Sequence, residues 1–232
     1  MPRAPGAIRV ITARTAFPCG PPVVAGGMKI FNSKKRVVAL SFAAVAVVGA
    51  GAVQAGAISI DLPVRGNGKE CLVPAAAQAL TDQQVTMEPI APATVTGGCL
   101  SYPGSGTVSP NLTGGEIPIR GGVRFTGAGH TLELTNMVIH TRLGEGYTSA
   151  DLSQDGAPAT NITLFKFPVS PSLVTFTPTA VDTRNIPLSL SAPAATAFTN
   201  TFGSSPVAAG DTMFTFDGHA EITNAPSFPT LP

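Results

Sequence analysis

Three histidines, two tyrosines and two cysteines are the residues after position 55 whose side chains are best able to do chemistry. A nucleophile–histidine–acid triad usually places its serine on a Gly-x-Ser-x-Gly elbow between strand and helix. The nearest match is Gly104-Ser105-Gly106, inside a Gly-, Ser-, Thr- and Pro-rich stretch that reads as a long loop over residues 97–115. His130 and His140 fall at opposite ends of one predicted strand, about 33 Å apart at strand rise, too far to share a metal. His219 follows Asp217-Gly218, a turn pattern. Asp151, Asp155 and Gly156 imitate a calcium turn but lack EF-hand spacing, and read as solvated turn acids. Paired carboxylates for glycoside cleavage would want an aromatic sugar platform, and the chain has no Trp and only Tyr102 and Tyr147. No catalytic residue and no metal site is assigned.

Cys71 and Cys99 carry a different chemistry. They are the cysteines that remain after export, and a lone pair in an exported protein reads as a disulfide. The loop it closes would stabilise the fold by about 3–4 kcal/mol in the chain-entropy account.

Export itself is read from Val37–Ala55, VVALSFAAVAVVGAGAVQA. The basic segment from Met28, with Lys29, Lys34, Lys35 and Arg36, precedes this apolar run. Val53 and Ala55 then place small residues where a signal peptidase reads, with Ala57 as a second cleavage position. The run is short for a spanning helix, which needs about 20 apolar residues. Residues 28–55 are therefore expected to be a secretory signal peptide, and residues 1–27 a mis-called extension before the true start at Met28. The membrane is met only through this signal, and the destination is the outside or the envelope of a bacterial cell.

Charge divides at the same point. All thirteen acidic residues follow Ala55, against seven of the fourteen basic ones, so the mature chain has a net charge of −6. Neither nucleic acid nor an anionic surface suits such a chain, because both select clustered Lys and Arg.

The elements that would position these residues are strands. Residues 56–232 suit one domain, rich in Val, Ile, Thr, Gly and Pro, which favours short strands and many turns. A first strand is expected over residues 58–62 and a Gly-containing turn over 64–70. The segment 71–80 suits one or two helical turns, and 85–96, interrupted by Pro89 and Pro92, an edge strand. The densest alternation lies in 116–141. It predicts a long hairpin turning at Gly127-Ala128-Gly129, with a bend at Gly121-Gly122 and a bulge near Thr135-Asn136. Further strands are expected over 147–152, 161–167, 173–180, 186–190 and 212–222. Ser191 as cap, Pro193 in the first turn and Gly203 as stop predict one short helix near the C-terminus. The expected fold is an all-β antiparallel β-sandwich with that helix packed on it.

The segment Val123-Arg124-Phe125-Thr126-Gly127, then His130, then Leu132-x-Leu134-x-Asn136-x-x-Ile139, resembles the central part of haem-transport-associated (HtaA-type) domains, which are exported actinobacterial β-rich modules. Leu188-Ser189-Leu190 followed by Ala194-Ala195 and Phe198 is similar to their end. The family's N-terminal segment with its haem-ligating Tyr has no counterpart here. The resemblance implies a haem-binding or other small-ligand module, with His130 carried over beside the ligand. Tyr102 is the other residue singled out as ligand-proximal, without a motif match.

The sequence alone favours a non-enzymatic structural or interaction protein, with an envelope or extracellular protein as partner and no cofactor. A haem or other small-ligand binding module is the alternative, and a secreted hydrolase the third reading.

Overall fold

The structure is a computed structural model and describes residues 61–223. The export run Val37–Ala55, its cleavage residues Val53 and Ala55, and residues 1–27 lie outside the described residues.

Strand β1 (Leu62–Leu72) leads into helix α1 (Pro74–Asp82). Strands β2 (Thr86–Ile90), β3 (Thr94–Thr96), β4 (Cys99–Val108) and β5 (Gly115–Pro118) follow. β6 (Gly122–Gly127) and β7 (His130–His140) form one hairpin, β8 (Gly144–Gln154) and β9 (Thr160–Val169) another. β10 (Val174–Phe176), β11 (Ala180–Leu190), helix α2 (Ala192–Phe202) and β12 (Thr212–Ile222) complete the order.

The expected sandwich is corrected to a barrel. The strands run β7-β5-β4-β1-β12-β11-β9-β8, and β8 pairs back onto β7, closing eight antiparallel strands into one ring. β6 and β2 extend from β7, while β3 and β10 flank β4 and β11. Two separate sheets would need two pairs of free edges, and closure removes them. Strand alternation reports which residues face inward but not which strand pairs with which, so sandwich and barrel look alike in the sequence.

Local signals explain the curvature. The register of β7 against β8 shifts between Thr135 and Val138, where Asn136 takes a left-handed φ of 48°. This bulge returns Met137 to the interior face already used by Leu132 and Leu134. The bend between β5 and β6 falls at Gly121, with φ 94°. β2 is an edge strand, as Pro89 requires.

Two helices form: α1, where helical turns are expected over 71–80, and α2, the short helix expected near the C-terminus. In α1, Pro74 occupies the first turn and Ala76 and Leu80 are buried. In α2, the Ser191 side chain accepts from the Ala194 N–H, and Gly203 ends the helix in the left-handed region. Its buried face, Ala194, Ala197 and Phe198, joins the main core, with the Phe198 ring edge-on to Phe125 at 4.9 Å. A second, smaller cluster of Val64, Val108 and Val181 sits at the other end of β1, beside Ala220 and Ile222.

Candidate functional site

Between these two apolar clusters the barrel interior is incompletely filled. Along β1, the inward positions are Val64, Gly66, Gly68 and Glu70, while Arg65, Asn67 and Lys69 face solvent. Along β4, the positions facing the same interior are Leu100, Tyr102, Gly104, Gly106 and Val108. Gly218 on β12 lies opposite Gly68. An eight-stranded barrel is just wide enough for side chains to fill it or for one small ligand to fit. With glycine at several adjacent inward positions on three neighbouring strands, the interior keeps a cavity of about 120 Å³.

The walls are mostly apolar: Ile117, Ile119, Ile139, Phe167, Leu188 and Phe216. Phe216 packs on bare backbone, since a Cβ at Gly68 would come within 2.5 Å of its ring. Among the polar groups of the wall, three buried hydroxyls lack a partner. Tyr102, 1% exposed, has a hydroxyl with no hydrogen-bond partner, and so do the wall residues Thr141 and Thr183. Glu70, 3% exposed, lines the same cavity. Burial alone pushes its carboxyl up to about 7. Burial, and then the nearby Glu70 charge, push the Tyr102 phenol well above its ordinary range. An unpaired buried polar group is costly, so a cluster of them facing open space is the mark of a site and not of a filled core.

The disulfide fixes this geometry. Cys71 and Cys99 are bonded and stand directly opposite in the β1–β4 ladder. One residue along each strand, the pair Glu70 and Leu100 faces the interior. The bond therefore locks the register that sets Tyr102 opposite Gly68 and beside Glu70.

No protein-family model matches this chain, and no curated protein matches it. Solved structures do. The C-terminal domain of HtaA from Corynebacterium glutamicum superposes with a TM-score of 0.55 at 19% identity, over 69% of this chain and 98% of that domain. The N-terminal domain of the same protein gives 0.52 at 12% identity, over 68% and 97%. The barrel has the fold of the HtaA domains. The segments that carry the sequence resemblance lie in the β6–β7 hairpin, the end of β11 and α2, which meet through Phe125 and Phe198.

The two ligand-proximal residues named from the sequence do not come together. Tyr102 lines the cavity, but His130 does not. His130 caps the β6–β7 hairpin with its side chain about half exposed, and its Nδ1 pairs with Asp155 Oδ2 at 2.8 Å. Asp155 also accepts from the Thr131 N–H at 2.7 Å. That bond, then the one from His130, hold its carboxyl below the usual range. Asp151 accepts from Asn136 and Asn161, both at 2.9 Å. Both acids of the calcium-like turn thus brace the β7–β8–β9 surface. Among the described residues, no cluster of three His, Cys, Asp or Glu is placed to hold a metal.

His140 stacks on Tyr147 at 4.4 Å on the outside of the barrel. His219 lies within β12, its exposed ring bonded to Asp182 at 2.7 Å, so Asp217-Gly218 is strand and not turn. Ser105, the triad look-alike, is an exposed residue within β4.

Sequence reading missed Glu70 as a site residue. The signal was there: Arg65, Asn67 and Lys69 alternate with small residues, which makes Glu70 the odd member of the inward set.

Proposed function

We propose that this domain is a non-enzymatic small-ligand binding module of the haem-transport type, exported to the envelope or the medium, that holds its ligand inside the barrel. One observation carries this reading: a mostly apolar cavity, lined by the buried Glu70, in whose wall the Tyr102, Thr141 and Thr183 hydroxyls have no protein partner. A purely structural or interaction barrel has no reason to keep such groups buried and unpaired. This favours binding over the structural or interaction role that composition alone suggested.

Haem is the ligand that the resemblance implies, and its fit can be weighed against this interior. A phenol without a partner is of a chemical type that binds haem iron. The space is not suitable: about 120 Å³ lies below the roughly 300–1,000 Å³ of typical ligand pockets. His130 stands outside the cavity and is engaged by Asp155. The residues present do not fit a haem inside the barrel as it stands, and a compact ligand suits it better.

The test is a binding screen on the exported protein with haemin and with single-ring apolar compounds, read by thermal shift and calorimetry. Thr183→Leu, which puts a larger apolar side chain into the cavity, serves as the control. A saturable single-ring ligand that Thr183→Leu excludes supports the reading. Absence of any saturable ligand overturns it. A one-site Soret change with haemin that Tyr102→Phe abolishes would replace the compact ligand with haem.

A further inference from the structure

The cavity holds a carboxyl that the fold leaves without a counter-ion. Every Lys and Arg among the described residues, namely Arg65, Lys69, Arg120, Arg124, Arg142, Lys166 and Arg184, is exposed. Arg124 and Lys166 are already paired with Glu133 and Glu145. The titratable groups lining the cavity besides Glu70 are Tyr102, which is neutral and is itself opposed by the Glu70 charge, and His219, whose ring is exposed and turned to Asp182. No cation of the described chain can therefore meet Glu70.

We propose that the ligand is a compact apolar amine, whose ammonium pairs with the Glu70 carboxylate while its hydrocarbon part lies against Phe216, Phe167 and Ile139. This rests on the ligand-binding reading above and narrows it to a chemical class. Size agrees: a single aromatic ring occupies a dry apolar cavity on the order of 150 Å³, close to the 120 Å³ here. Chemistry agrees as well. A buried carboxylate is stabilised most by an opposite charge that also donates hydrogen bonds. The Tyr102 oxygen, which lacks a partner and lies near enough to feel the Glu70 charge, can accept a further ammonium proton. A neutral alcohol would satisfy hydrogen bonds but leave the charge unopposed, and a carboxylate ligand would be repelled. The proton balance is explicit. Glu70 sits near half-protonation at pH 7, so binding a ready-made ammonium ion expels that fraction of a proton to solvent.

The experiment is calorimetry on the purified protein with benzylamine, benzyl alcohol, toluene and benzoate, for the wild type, Glu70→Gln and Thr183→Leu. Benzylamine should bind on the order of tenfold tighter than benzyl alcohol. Glu70→Gln should abolish that preference, and Thr183→Leu should weaken every probe. In buffers of different ionisation enthalpy, the wild type should release about half a proton at pH 7 on binding benzylamine, a readout that needs no variant to fold. Equal binding of benzylamine and its neutral analogues, a preference that survives Glu70→Gln, or no proton release would overturn the amine while leaving the cavity as a binding site. Failure of all four probes and of haemin would overturn both.

Discussion

Raising the pH from 5 to 8 will destabilise this protein, and Glu70→Gln will remove the loss. Glu70 is buried, and its carboxyl is raised from 4.5 to about 7 by desolvation. Between those two values the folded chain keeps a proton that the unfolded chain has lost. Stability therefore falls as the pH rises through this window and levels off above it. Over pH 5 to 8 the loss is about 2–3 kcal/mol, at about 1.4 kcal/mol for each pH interval in which only the folded state is protonated. Asp151 and Asp155 act in the opposite sense, since hydrogen bonds hold their carboxyls low. Their contribution is complete once the pH exceeds the ordinary carboxylate range, so it does not enter this window. The assay is urea unfolding of wild type and Glu70→Gln at pH 5, 6, 7 and 8, with the difference between the two proteins read at each pH. That difference should move in favour of the variant by about 2–3 kcal/mol from pH 5 to pH 8. A difference that stays constant across the series would refute the claim that Glu70 titrates inside the barrel.

Three further outcomes follow from the packing. Replacing Cys71 and Cys99 together by Ser should cost about 3–4 kcal/mol in chemical denaturation, because the bond locks the β1–β4 register; no change in midpoint would contradict this. Phe198→Ala should cost about 3–5 kcal/mol, since its ring is buried against Phe125 and the main core; a loss no greater than that of an exposed residue would contradict the packing of α2. Gly66→Ala should loosen β1 from β12, because the added Cβ would lie 1.9 Å from the His219 carbonyl oxygen; slow amide exchange retained along β12 would be inconsistent with that contact.

The parts of the fold legible in the sequence share one property: ordinary side chains carry the signal. Leu132, Leu134, Met137 and Ile139 with a bulge at Asn136, the cap-to-stop pattern of Ser191 to Gly203, and the strand from Thr212 to Ile222 all matched. β1 and β4 were missed. In the sequence, residues 64–70 look like a turn and 97–115 like a loop, because glycine takes inward positions where a hydrophobic side chain is the usual marker. Gly66, Gly68 and Gly104 hid those strands. The same three residues line the cavity, so the feature that concealed the strands also made the site. Glu70 and Tyr102 belong to those strands, so in the sequence Tyr102 has no structural context and Glu70 is not marked as inward. Ring closure was also out of reach, since it depends on β5 meeting β7, β9 meeting β11 and β1 meeting β12, pairings that no local pattern encodes.

On the proposed function the ligand sits inside the barrel. Four isoleucines, Ile117, Ile119, Ile139 and Ile186, line the cavity, while Ile90, Ile162 and Ile222 do not. Methyl-resolved NMR of the isoleucine-labelled protein, titrated with benzylamine and separately with toluene, reads both groups at once. Saturable shifts confined to the four lining methyls are the predicted result. Shifts confined to Ile90, Ile162 or Ile222, or no shift with either compound, would contradict it.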